Sequence, residues 1–124
     1  MKTTIVVDTG IILEYLKTGK GVLPDVYEKY SMIIPSVSVT EVLASKTFSD
    51  KGLEEEVVSF LHKYFKIEEV SEKVAHKASF IVREYGVNLM TALIAATAIV
   101  GNHKLLTEEK KHFGKIAGVE MLEL

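Results

Sequence analysis

Short β-branched runs alternate with helical stretches along the whole chain, and this alternation restricts the fold more than any other feature. Thr3 to Val7 reads as a strand because its apolar run is continuous and rich in branched residues. Ile11 to Leu16 reads as a short helix ended by Gly19 and Gly21, and Pro24 to Tyr30 adds another helical turn or two. Met32 to Ile34 is a second strand, stopped by Pro35. Ser38-Val39-Thr40-Glu41 has the spacing of a capping box and starts a helix through Leu43. Phe48 to Gly52 is polar and reads as a loop. Leu53 to Phe65 follows as a helix with Val57, Leu61, Tyr64 and Phe65 on one face.

The pattern continues to the end of the chain. Ile67 to Val70 is a third strand, and Ser71 caps a helix that runs to Tyr85 and stops at Gly86. Met90 to Val100 is a helix whose alanines (Ala92, Ala95, Ala96 and Ala98) allow close approach of neighbouring backbone. Lys104 to Leu106 is a fourth strand, followed by a helical turn near Glu108 to His112, and Val119 to Leu122 reads as a fifth strand. Strands that alternate with helices call for crossover connections, hence an α/β fold: a mainly parallel central sheet covered on both faces, a three-layer α/β/α sandwich.

Composition sets further bounds. A length of 124 residues suits a single domain, residues 1–124, with one substantial core. Hydrophobic residues make up 48% and charged residues 26%, an ordinary globular balance. The formal net charge is −2, so a nucleic-acid partner would have to be held by a local patch rather than by a general basic surplus. There is no cysteine, which removes disulfides, thiolate metal sites and cysteine nucleophiles. The N-terminal run is broken by Asp8 and lacks a small-residue cleavage site, so it does not read as a signal peptide. The longest apolar run, Leu89 to Val100, is shorter than the roughly 20 residues needed to span a bilayer. No membrane association and a cytoplasmic location are the expectation.

Three carboxylates fall at the edges of the strands so assigned. Asp8 directly follows the first strand, at the carboxyl edge where open α/β sheets place their chemistry. Glu41 and Glu109 lie near the ends of the second and fourth. If the three meet, they offer a hard divalent cation its preferred oxygen ligands. Each also has a plainer explanation. Asp8 suits an N-cap for the next helix, Glu41 the fourth position of a capping box, and Glu108 and Glu109 a first helical turn. His62, His76, His103 and His112 show neither paired spacing nor a carboxylate neighbour at ligand spacing. No glycine-rich phosphate loop or nucleophile elbow is present. Lys110, Lys111, His112 and Lys115 form a basic cluster that a solvated helix face explains.

The order of segments resembles a known family. Val6-Val7-Asp8-Thr9, Pro35 through Leu43, Ala92-Leu93-Ile94-Ala95-Ala96-Thr97-Ala98, and Leu105-Leu106-Thr107 through Phe113 with Ile116-Ala117-Gly118-Val119 occur in sequence. Together they resemble a PIN domain, particularly the small toxin ribonucleases of the VapC type. The resemblance implies a PIN-like α/β fold and an endoribonuclease that uses Mg²⁺ or Mn²⁺ to activate water against an RNA phosphodiester. It implies metal ligands at Asp8, Glu41 and Glu109, with Thr107 supporting the site by hydrogen bonding. Thr91 stands where the family usually has an aspartate, and Gly10 where it often has asparagine or another polar residue. The resemblance further implies an RNA substrate, a small antitoxin protein as partner and a homodimer. The loss of charge at Thr91 feeds an alternative, a catalytically degenerate PIN-like module serving as an RNA- or protein-binding scaffold.

Overall fold

A computed structural model describes residues 1–45 and 51–124. Its elements run β1 (Thr3–Val7), α1 (Thr9–Thr18), α2 (Leu23–Tyr27), β2 (Tyr30–Pro35), α3 (Ser36–Leu43), α4 (Lys51–Tyr64), β3 (Lys66–Glu68), α5 (Glu72–Tyr85), α6 (Leu89–Gly101), β4 (Lys104–Leu106) and α7 (Lys110–Gly114). The sheet has four strands in the order β3-β2-β1-β4, and every pairing is parallel. Parallel neighbours need crossover connections, and the helices between the strands supply them. This is the α/β sandwich that the alternation calls for.

Successive strand residues face opposite sides, so each buried strand feeds two cores. On one face Ile5, Val7, Met32, Ile34 and Leu106 pack with Ile11 and Ile12 of α1, Val42 of α3, and Val57 and Leu61 of α4. On the other, Val6, Ile33 and Leu105 pack with Val74, Ala78 and Ile81 of α5 and with Ala92, Ile94, Ala95, Ala96 and Ala98 of α6. Helix α6 is buried along most of its length, and its alanines let it lie close against both α5 and the sheet. Ser71 caps α5 by accepting the Val74 amide, and Gly86, at φ 67°, closes the helix in the left-handed region. Among the described residues no helix is long and apolar enough to cross a membrane.

Several boundaries differ from the sequence reading. Ser38 is not a cap. Strand β2 runs on to Pro35, whose extended backbone begins α3, so Ser38 lies inside the helix, fully buried. Its hydroxyl has no partner, and the expected reciprocal box with Glu41 does not form. The fifth strand reduces to one bridge between Leu105 and Met121, tied by Leu105 N–H to Glu120 O and Leu122 N–H to Leu105 O. Helix α1 is longer than Ile11 to Leu16, β3 is Lys66–Glu68, starting one residue and ending two residues before the expected Ile67 to Val70, and α6 begins at Leu89. Of the loop expected over Phe48 to Gly52, residues 48–50 lie outside the described residues, while α4 already begins at Lys51.

Candidate metal centre

Strand β1 carries Asp8 out at the carboxyl edge of the sheet, where the backbone turns directly into α1. Its amide donates to Leu106 O at 2.9 Å, extending the pairing with β4 by one residue. By backbone conformation Asp8 occupies the N-cap position, yet its side chain makes no capping hydrogen bond to the helix. Instead Oδ2 accepts the Thr107 hydroxyl at 2.8 Å, a buried contact between residues 99 positions apart. Thr107 in turn accepts the Glu109 amide on the same oxygen at 2.9 Å, which fixes its hydroxyl proton toward Asp8. Of the two open explanations for Asp8, the plain cap does not hold.

Burial pushes the Asp8 carboxyl above the ordinary aspartate range. The Thr107 hydroxyl and the neighbouring Thr9 amide pull it back down, while the nearby charges of Glu109 and Glu41 raise it further. A carboxylate that is desolvated, unused by its helix and crowded by like charges is costly to keep.

The cleft in front of Asp8 is lined by Thr9 and Leu13 of α1, Glu41 of α3, Asn88, Met90, Thr91 and Ile94 around the start of α6, and Glu109 and Phe113 beside α7. Asp8, Glu41, Glu109 and Thr91 therefore share one cleft, and Thr107 lies directly behind Asp8. Glu41 reaches it because α3 starts at Ser36, which sets position 41 on the side facing α1 and α6. Gly10 also lines the cleft, with open space where a Cβ would be.

These donors fit a hard divalent cation in kind: they are all oxygens, and among the described residues no lysine or arginine pairs with them. They are not drawn tight. Among the described residues no three His, Cys, Asp or Glu side chains come together closely enough to hold one metal ion. Glu41 is part-buried and Glu109 largely exposed, so both must rotate inward to share an ion with Asp8.

Two features escaped the sequence reading. Asn88 is the N-cap of α6, accepting the Thr91 amide at 2.8 Å, and it stands on the cleft wall. An asparagine three residues before Thr91 was the available signal. His112 does have a carboxylate neighbour, since its Nε2 lies 3.5 Å from Glu109 Oε2 across one helical turn. The basic cluster is partly neutralised as well, because Lys110 pairs with Glu123 at 3.2 Å.

Comparison with known proteins adds the following. The family model described as PIN domain matches residues 5–119. A search of the curated proteins finds no match. Among solved structures, a toxin–antitoxin complex from Klebsiella pneumoniae is similar at 25% identity, covering 97% of this chain and 99% of that one with a TM-score of 0.76. VapBC2 from Rickettsia felis, bound to a DNA fragment from its promoter, matches at 19% identity over 98% and 99% of the two chains with a TM-score of 0.81. VapBC-1 from nontypeable Haemophilus influenzae gives 14% identity, 98% coverage of both chains and a TM-score of 0.81. At those last two identities the likeness is one of fold.

Proposed function

The chain belongs to the PIN domain family, and from that premise we propose that it is a metal-dependent endoribonuclease, the toxin half of a toxin–antitoxin pair. The observation that carries the reading is Asp8: buried, released from capping, and held by Thr107 toward a cleft that also contains Glu41 and Glu109. A fold tolerates a desolvated carboxylate crowded by like charges where a bound cation relieves it.

In this reading Asp8, Glu41 and Glu109 hold Mg²⁺ or Mn²⁺, which when bound supplies charge to activate water and to stabilise phosphate oxygens. The chain's own part is positioning. Thr107 sets the Asp8 carboxylate in one orientation, and its hydrogen bond favours the ionised form needed for ligation. Thr91 offers a hydroxyl, a polar contact for water without added charge. Leu13, Ile94 and Phe113 form an apolar wall that limits bulk water beside the acids.

Support for a protein partner is of two kinds. The similar structures named above are of toxin–antitoxin complexes. This chain also has a small apolar groove where Tyr15, Leu23, Pro24, Tyr27, Phe60 and Tyr64 meet, with Tyr15 stacked on Phe60 at 5.7 Å between ring centres. An antitoxin segment with apolar anchors suits that groove, and a homodimer is part of the same proposal.

Thr91 favours a second reading, a PIN-like scaffold that has lost catalysis and binds RNA or protein. One experiment separates the two. Wild-type protein is expected to cleave single-stranded RNA when Mn²⁺ is added, and Asp8→Asn to abolish that cleavage. Equal cleavage by both, or none by either at millimolar Mn²⁺, removes the nuclease reading and leaves the scaffold.

A further inference from the structure

Ser38 carries a hydroxyl that is fully buried and finds no partner among the described residues. Hydroxyls inside helices can donate to the carbonyl four residues back, as Thr18 does to Glu14 O and Thr97 to Leu93 O, each at 2.8 Å. Four residues before Ser38 stands Ile34, inside β2, so that route is closed. A buried donor left this way is rare and costs stability. Thr9, also in a first helical turn, holds another such hydroxyl. The residues one turn later set the two apart. Thr9 is followed three and four positions on by Ile12 and Leu13, which accept nothing, whereas Ser38 is followed three positions on by Glu41. Residues three apart on a helix stand about 5–6 Å apart at Cβ, a gap that a serine hydroxyl and a glutamate carboxylate can close.

Glu41 is the matching half. Thr107 holds Asp8 at 2.8 Å, and His112 lies 3.5 Å from Glu109, but among the described residues no side chain holds the Glu41 carboxylate. Glu41 lies part-buried in the cleft, with its charge close enough to Asp8 to raise that carboxyl. Turning it further inward would bring two negative charges together and strip one of water, which holds it outward. A divalent cation reverses that balance, because its charge offsets both carboxylates. We infer that Ser38 is a positioning residue: as Glu41 turns inward to ligate a divalent cation, its carboxylate accepts the Ser38 hydroxyl, as Asp8 accepts that of Thr107. This rests on the metal-dependent reading above and adds a donor that is engaged only when the acids share an ion. The unsatisfied hydroxyl destabilises the protein without metal, and ligation removes that penalty.

Ser38→Ala tests the assignment through two readouts that should move in opposite directions. Alanine removes an unpartnered buried donor and is the better helix former, so the thermal midpoint without metal should rise by roughly 4 °C. Mn²⁺ affinity in titration calorimetry should fall by roughly tenfold or more, the worth of one hydrogen bond to a charged group. A merely structural serine, or one that holds a buried water, would lower the midpoint instead, and that result overturns the assignment. A crystal of the wild-type protein soaked in Mn²⁺ is the second measurement and needs no variant. It should place Ser38 Oγ within about 3.2 Å of a Glu41 carboxylate oxygen, and a longer separation with the ion bound refutes the role. If wild type binds Mn²⁺ and Ser38→Ala binds it equally well, Ser38 has no part in ligation and the metal-dependent reading stands. If the affinity falls as expected but wild type cuts no RNA, the nuclease reading falls and the role of Ser38 stands. A wild-type protein that binds no Mn²⁺ at millimolar concentration overturns both.

Discussion

Thr107→Val replaces a hydroxyl by a methyl of nearly the same shape and removes two contacts together. The hydroxyl donates to the Asp8 carboxylate at 2.8 Å, a buried, charge-assisted bond, and accepts the Glu109 amide at 2.9 Å. Hydrogen bonds to charged groups contribute about 1.5–3 kcal/mol and neutral ones about 1 kcal/mol, so the expected loss is about 2.5–4 kcal/mol. An unfolding entropy of about 2.1 cal/mol/K per residue gives about 0.26 kcal/mol/K for this length. The unfolding midpoint should therefore fall by about 10–15 °C at neutral pH. The larger share depends on Asp8 being ionised. Losing the bond raises the Asp8 carboxyl further, because Thr107 is among the groups that pull it down. As pH falls through the Asp8 range the carboxyl protonates, the bond weakens, and the gap between variant and wild type should narrow. The assay is circular-dichroism melting of wild type, Thr107→Val, Asp8→Asn and the double variant across pH. The cycle should return a coupling of at least about 1 kcal/mol between the two positions. A midpoint drop that is the same in both backgrounds and at every pH would refute the charge-assisted role.

Asp8→Asn itself should raise the midpoint at neutral pH. The native carboxyl lies above its unfolded value, so the native state holds the proton longer, and wild-type stability declines as pH rises through the native value; melting across pH should show that slope in wild type and not in the variant. Thr91→Asp should tighten Mn²⁺ binding by at least about tenfold in titration calorimetry, since a full negative charge joins the cleft; unchanged affinity would mean that position 91 does not contribute. Ala95→Leu, at a fully buried point of α6, should cost about 1–3 kcal/mol by overpacking, seen as a lower denaturant midpoint at unchanged slope. Gly10→Ala, inside α1 with open space at the Cβ position, should instead stabilise by about 0.5–1 kcal/mol in the same measurement.

Much of the fold was legible because its rules are local. The run Thr3–Val7, the stop at Gly86, the Ser71 cap and the Lys104–Leu106 strand each follow from periodicity or cap chemistry over a few residues, and each is found where expected. The failures share a cause. Ser38 has good capping spacing, but with β2 paired as far as Pro35 the helix cap lies three residues earlier and Ser38 is buried inside the helix. Val119 to Leu122 has strand-like residues but joins the edge at one bridge only, which propensity does not foresee. Within the site, Asp8, Glu41, Thr91 and Glu109 were singled out and share a cleft, whereas the place of Asn88 on its wall depends on α1, α3, α6 and α7 coming together. The contact of His112 with Glu109 is a matter of rotamer, and no residue pattern fixes that.

The bond between Thr107 and Asp8 ties the end of the first strand of the sheet to the end of its fourth, and it sets an order of events for a chain made from its N-terminus. Until position 107 has emerged, β1 lacks its β4 neighbour, Asp8 lacks its hydroxyl donor, and Glu109 does not yet exist. A prematurely stopped polypeptide would thus carry Asp8 without the partners that complete its cleft. Whatever reactivity the finished cleft possesses waits on the emergence of residues 107–109, a delay written into the strand order itself.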